Sequence, residues 1–128
     1  MQEEQKLKYL SYALYLFGLI FIFGIYIMMM WVFPSGWSWE PRHPEYEQMI
    51  MGVYATLGIF LIRAAKDPMA HVSLIWFAVW SSAVHGGIML VQAILDESER
   101  MNLLGDVPAL LLVAIVLAYL MPRKKTAE

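Results

Sequence analysis

Long apolar runs separated by short polar segments dominate this chain. Four of them have the length and low charge of a membrane span, and they predict helices over about residues 9–33, 45–63, 68–95 and 106–121. The first run is longer than the apolar part of a signal peptide, about 7–15 residues, so it predicts a retained helix. The pattern predicts one all-α domain, residues 1–128, folded as a four-helix transmembrane bundle.

Prolines and acidic residues mark the predicted helix starts. Pro44 lies in the first turn of the second predicted helix, and the dipeptide Asp67-Pro68 predicts an N-cap followed by proline at the first position of the third helix. Asp106 opens the fourth run. Proline is favoured in the first helical turn, and carboxylates there are stabilised by the helix dipole. These residues therefore mark the predicted boundaries of the helices.

The composition supports lipid as the surroundings of these helices. Of 128 residues, 60% are hydrophobic and 16% are charged, whereas soluble domains are about half apolar and about a quarter charged. So small a chain cannot bury that excess in its own core. The net charge of −2 argues against nucleic acid as a partner. The absence of cysteine excludes disulfides, iron–sulfur clusters and thiol catalysis.

Positive charges predict the orientation in the membrane. Seven of the nine Lys and Arg residues fall in the two tails and the loop between the second and third runs: Lys6, Lys8, Arg63, Lys66, Arg123, Lys124 and Lys125. Arg42 and Arg100 lie in the other two loops. Because cytoplasmic loops carry the excess of Lys and Arg, both termini are predicted to be cytoplasmic.

His85 is the strongest candidate for a functional residue. It lies near the middle of the third predicted helix, where an ionisable side chain is costly and is expected to face the bundle interior and a partner. Ser81 and Gln92 fall on the same helical stripe, as do His71 and Asp96, with Ser82 beside it. The alternative is a structural one, in which neutral His85 bonds a serine or a carbonyl and holds the helices together.

Acidic residues at helix starts form a second group. Glu47 and Asp106 begin helices on the predicted outer side, and Tyr54 follows Glu47 along the second helix. If the second, third and fourth helices are neighbours, these groups converge on a polar pocket above His85. A histidine with a carboxylate can serve as an acid/base pair, a proton relay or a ligand clamp. Helix capping alone also accounts for the acids.

Metal and haem binding are disfavoured by the histidine positions. His43, His71 and His85 fall in the outer loop, at the inner end of the third helix and at mid-membrane. His71 and His85 are separated by roughly 21 Å along one helix, too far for one metal ion. No metal site is therefore predicted, and the sequence assigns no cofactor.

Three segments resemble a family of small bacterial four-helix membrane proteins classed as a domain of unknown function. They are EYEQMIMGVYATLGIFLIRAAKDP, HVSLIWFAVWSSAVHGGIMLVQAILD and LLGDVPALLLVAIVLAYL. The resemblance implies a family pattern that contains Glu47, Gly52, Tyr54, His85, Gly86, Gly105 and Asp106. In layout the chain is also similar to DoxX-like proteins. The resemblance implies a location in the bacterial inner membrane and no particular reaction, since a fold does not define a function.

Three functional hypotheses follow from these residues. The leading one is a protein that binds a lipid, a quinone or a membrane partner through the pocket formed by His85, Glu47, Asp106, Tyr54, Gln92 and Ser81. The second is a small membrane enzyme, an isomerase or a quinone-linked oxidoreductase, that uses His85 with Glu47 or Asp106 as acid and base. The third is a structural subunit of a larger complex. Assembly as a homo-oligomer or in a membrane complex stays open.

Overall fold

The computed structural model describes residues 2–27 and 44–122, except the side chains of residues 26, 44–47, 101 and 102. All regular secondary structure within these residues is helical. The Glu47 side chain, Arg42, His43 and the basic residues after Pro122 lie outside the described part. The predictions that depend on them therefore stay predictions.

Helix α1 spans residues 3–27 and contains one irregular turn. It is α-helical over Glu3–Leu19, π-helical over Ile20–Gly24 and α-helical again over Ile25–Ile27. It begins at Glu3, before the predicted start at residue 9. A π-helical turn contains one more residue than an α-helical turn, so the side chains after it are rotated around the helix axis. Such turns are frequent at functional sites.

The other main helices lie close to the predicted ranges. Helix α2 spans Pro44–Lys66. Helix α3 spans Val72–Leu95 and is preceded by a 3₁₀ turn, Pro68–His71. Helix α4 spans Asp106–Leu120 and follows a 3₁₀ segment, Glu97–Leu103.

The predicted helix starts differ in detail from those in the structure. Asp67 makes no side-chain capping bond, and Pro68 opens the 3₁₀ turn instead of an α-helix. Gly105 holds the N-cap position of α4, so Asp106 lies in the first turn, where the helix dipole stabilises a carboxylate.

Three helical segments are long and apolar enough to cross a membrane, namely Glu3–Gly24, Gln48–Lys66 and Pro68–Leu95. Helix α4 is apolar but shorter, with 15 residues. At 1.5 Å per residue it is about 22 Å long, less than the roughly 30 Å of a bilayer core. Its two ends would therefore have to lie near the interfaces in a full span.

The helices associate mainly as two pairs. Helix α1 packs along α2, and α3 packs along α4, while α1 also contacts α4. Helices α2 and α3 touch over much less of their length. The interior is built mainly from aliphatic side chains contributed by all four helices, and its largest fully buried members are Leu10, Leu14, Leu61, Ile75 and Leu117.

The pair α1–α2 crosses at two glycines. A Cβ added at Gly58 would lie 2.5 Å from the carbonyl oxygen of Gly18, and one added at Gly18 would lie 2.7 Å from the carbonyl oxygen of Gly58. Any side chain at either residue would force the backbones apart. Small residues at crossings allow this close approach in membrane helices, and here they bring α1 against α2 just before the π-helical turn of α1.

The outside of the bundle is strongly apolar. Trp80 on α3 is 65% exposed and Phe77 60% exposed. Further exposed apolar side chains continue along the same helix: Val84, Ile88, Val91 and Ile94. A contiguous apolar surface of this kind is unusual for a protein in water and is expected where the surroundings are lipid.

Candidate functional site

A groove opens between α2 and α3, which pack against each other less closely than the pairs α1–α2 and α3–α4 do. Its cavity volume is about 410 Å³, within the range of roughly 300–1,000 Å³ that is usual for small-molecule sites. Five of its lining residues are apolar: Met49, Ile50, Val53, Leu57 and Phe77. The polar ones are Tyr54, Ser81, Ser82 and His85. A few polar groups on apolar walls are typical of a site that orients a hydrophobic ligand.

The central polar contact of the groove joins its two walls. The hydroxyl group of Tyr54 on α2 and Nδ1 of His85 on α3 share a hydrogen bond. The two rings are stacked, with centroids 5.9 Å apart and an interplanar angle of 28°. His85 is partly buried and faces this polar partner. The arrangement is the one expected of an ionisable side chain inside an apolar helix.

The tautomer of His85 determines which atom of the Tyr54–His85 pair can donate a hydrogen bond to a ligand. When Nδ1 accepts the proton of the Tyr54 hydroxyl group, Nε2 carries the ring proton and remains a hydrogen-bond donor. When Nδ1 carries the proton, the Tyr54 oxygen accepts it and the tyrosine proton becomes available instead. In either state the pair keeps one donor for a carbonyl or phosphate oxygen.

Phe21 supports Tyr54 from the side of α1, and sequence reasoning did not identify it. Its ring meets the Tyr54 ring edge to face, with centroids 5.3 Å apart and an interplanar angle of 68°. Phe21 is only 5% exposed and lies in the π-helical turn Ile20–Gly24. The turn thus holds an aromatic side chain against the tyrosine of the candidate site. Within one long apolar run, nothing in the sequence marks such a turn.

Asp106 lies in the first turn of α4 and is partly buried. It does not line the groove. Of the predicted site residues, the structure therefore brings Tyr54, Ser81 and His85 together in the groove, and Asp106 lies outside its lining.

Ser81 lies in the groove beside His85, as the helical stripe indicated. Its hydroxyl group donates a hydrogen bond of 3.4 Å to the carbonyl oxygen of Ala78 in the same helix. Its neighbour Ser82 is 4% exposed and also lines the groove. Because both hydroxyl groups lie on α3, that helix provides most of the polar surface of the site.

Other members of the predicted stripe lie away from the groove. Gln92 follows His85 by two turns, about 10 Å along the helix axis, and is exposed there. Asp96 ends α3 and accepts hydrogen bonds from Ser98, 2.9 Å to the backbone nitrogen and 2.7 Å to Oγ. The hydroxyl hydrogen bond is the main reason that the pKa of Asp96 is lowered. The stripe therefore contributes to the groove only around Ser81 and His85.

The remaining titratable residues of the predicted site are placed as follows. His71 lies at the other end of α3, where its Nδ1 is 3.0 Å from the carbonyl oxygen of Asp67. The backbone of Glu47 belongs to α2, two turns before Tyr54. Within residues 2–27 and 44–122, no group of three or more histidine and carboxylate side chains is arranged to hold a metal ion.

The chain belongs to a protein family described as "Family of unknown function (DUF6632)", whose sequence profile matches residues 5–126. The matched range contains every residue of the candidate site and all of the helices except the first two residues of α1. Neither the curated proteins nor the solved structures contain a significant match.

Proposed function

We propose that this protein is a multi-pass membrane protein that binds a small hydrophobic molecule, a quinone or a lipid, in the groove between α2 and α3. In this proposal all four helices cross the bacterial inner membrane and both termini lie in the cytoplasm. The observation that carries the proposal is the hydrogen-bonded pair Tyr54–His85 in a mainly apolar groove.

The chemistry of the groove favours a ligand with an acceptor oxygen on a flat or slender apolar body. The Tyr54–His85 pair retains one hydrogen-bond donor, which matches a quinone carbonyl or a lipid ester oxygen. Phe77 and Val53 are 60% and 69% exposed at the groove, so an apolar ligand would cover them. The groove also borders the apolar outer surface of α3, from which a ligand dissolved in the membrane could enter.

A test begins with the purified protein. Organic extraction followed by mass spectrometry is expected to recover a quinone or lipid at a fixed ratio to protein, and ultraviolet absorbance identifies a quinone directly. The variant His85→Leu is expected to lose most of that ligand. Gln92→Leu is the matched control, because Gln92 lies on the same helix but is exposed outside the groove. No retained molecule, or equal retention in both variants, would refute the proposal.

A second candidate function is catalytic, with His85 and either Glu47 or Asp106 as acid and base. His85 lines the groove and is hydrogen-bonded to Tyr54, and Asp106 is partly buried in the first turn of α4. A histidine and a carboxylate suit an isomerase or a quinone-linked oxidoreductase, in which protons move to and from the bound head group. Here Asp106→Asn would abolish turnover while leaving ligand retention intact, whereas a binding protein would show no turnover in any variant.

The structural alternative makes its own prediction. If Tyr54–His85 serves only to hold α2 and α3 together, then a well-packed apolar replacement of His85 would preserve stability and phenotype. Loss of phenotype in a stable His85→Leu protein would exclude that alternative.

A further inference from the structure

A second cavity lies at the opposite end of the bundle, at the end predicted to face the cytoplasm. Its volume is about 530 Å³, and it is formed where the start of α1, the 3₁₀ turn before α3 and the end of α4 come together. Its walls are mainly apolar and include Met69, Val72 and Trp76. It shares no lining residue with the groove around His85.

Lys6 supplies the charge of this cavity. Its ammonium group lies 5.2 Å from the centroid of the Tyr119 ring, close enough for a cation–π interaction. Within residues 2–27 and 44–122, no carboxylate forms an ion pair with Lys6. The side chain is partly buried, so its charge is held in one place by the aromatic ring and is not neutralised by an acid in that part of the chain.

Further positive charge follows the cavity lining in the sequence. Pro122 lines the cavity, and Arg123, Lys124 and Lys125 come directly after it in the chain. A lysine beside apolar walls is complementary to a molecule with an anionic head and an acyl tail. Juxtamembrane basic clusters attract anionic lipids with about 1 kcal/mol per Lys or Arg.

We propose that this cavity binds an anionic phospholipid, with the phosphate on Lys6 and an acyl chain along Met69, Val72 and Trp76. An indole at the level of the head groups fits this arrangement, because tryptophan favours the membrane interface. The lipid would join the first and last helices to the start of α3. The site depends on the membrane setting proposed above and not on the ligand of the other groove.

Native mass spectrometry of the full-length protein with equal amounts of phosphatidylglycerol and phosphatidylcholine tests this site. The wild type is expected to retain phosphatidylglycerol preferentially. Lys6→Gln should lower that retention about five-fold, the factor that corresponds to about 1 kcal/mol, and Lys6→Arg should restore it. Lys8→Gln is the matched control, because Lys8 is exposed on the same helix and does not line the cavity.

Three results would overturn the proposal. They are equal retention of the two lipids, an equal loss in Lys6→Gln and Lys8→Gln, and displacement of the lipid by millimolar inorganic phosphate, which would indicate a free-anion site. His85→Leu serves to separate the two proposals, since it is expected to leave phosphatidylglycerol retention unchanged even if the groove ligand is lost. Retention that falls with His85→Leu would also contradict a separate site.

Discussion

The two sides of α2 are packed in opposite ways. Toward α1, Gly58 lies so close to Gly18 that no side chain fits between the backbones. Toward α3, the helix borders a cavity of about 410 Å³ that contains Tyr54 and His85. The tight side is closed by backbone contact, whereas the open side is bridged by the Tyr54–His85 hydrogen bond.

This contrast explains how an open groove can hold a polar pair in a defined geometry. Tyr54 is fixed from behind by Phe21, which belongs to the same helix as Gly18. The close crossing therefore positions the wall of the groove, and the groove itself can remain available to a ligand. Binding sites benefit from side chains held in place by a rigid supporting layer.

The largest expected effect comes from breaking the tight side. Gly58→Ala places a Cβ 2.5 Å from the Gly18 carbonyl oxygen, and overpacking of this kind costs typically about 1–3 kcal/mol. Gly52→Ala on the same helix is the control, because no atom lies within 4 Å of its added Cβ. Thermal unfolding in detergent should show a clearly lower melting temperature for Gly58→Ala and an unchanged one for Gly52→Ala. Equal melting temperatures would contradict the close crossing.

The next effect concerns the bridge across the open side. Tyr54→Phe removes the hydroxyl group that His85 bonds while keeping the ring against Phe21. A double-mutant cycle of Tyr54→Phe with His85→Ala should give a coupling free energy of about 0.6 kcal/mol, the average for hydrogen bonds between membrane helices, and at most about 1.7 kcal/mol. Additive effects would show that the two residues act independently.

A smaller effect is expected where α3 meets α4. A Cβ added at Gly86 would lie 3.2 Å from Cβ of Leu110 and 3.3 Å from Cδ2 of Leu111, whereas none lies within 4 Å at Gly87. Gly87→Ala should gain up to about 0.5–1 kcal/mol from helix propensity. For Gly86→Ala, the same gain in stability should be offset because the new methyl group is crowded by Leu110 and Leu111. Equal melting temperatures for Gly86→Ala and Gly87→Ala would contradict this expectation and indicate that α4 moves to accommodate the added methyl group at little energetic cost.

The smallest effect is expected at the edge of the polar stripe. Gln92→Ala changes an exposed residue outside the groove, so ligand retention should match that of the wild type. Ser81→Ala, inside the groove, should reduce retention measurably if its hydroxyl group contacts the ligand. A larger loss for Gln92→Ala than for Ser81→Ala would place the site further along α3.

Much of the fold was predictable from the apolar runs. The third and fourth helices were expected over residues 68–95 and 106–121, and the structure has helical turns from Pro68 to Leu95 and a helix over Asp106–Leu120. Apolar runs bounded by proline and acids are local signals, and helices depend largely on local chemistry. That His85 would have a polar partner was also predictable, since an ionisable group in an apolar helix needs one.

Helical periodicity was less informative about the extent of the site. Ser81, His85 and Gln92 share one face of α3. Periodicity shows to which side of a helix a residue points but not how far along the helix a site extends, and Gln92 is exposed. Glycine in the sequence was equally ambiguous. Gly52 and Gly58 look alike as small residues in one helix, yet only Gly58 meets another backbone, because contact depends on where the neighbouring helix crosses.

The amino-acid sequence by itself determined four helical segments, their apolar surface and a histidine that needs a partner within the bundle. Only the tertiary structure decided that the partner is Tyr54, that Phe21 supports it from a π-helical turn, and that Lys6 meets Tyr119 at the other end. Whether a segment forms a helix depends mainly on residues that are close to one another in the sequence. The pairing of side chains follows from which helices approach one another, and that depends on contacts between residues far apart in the sequence.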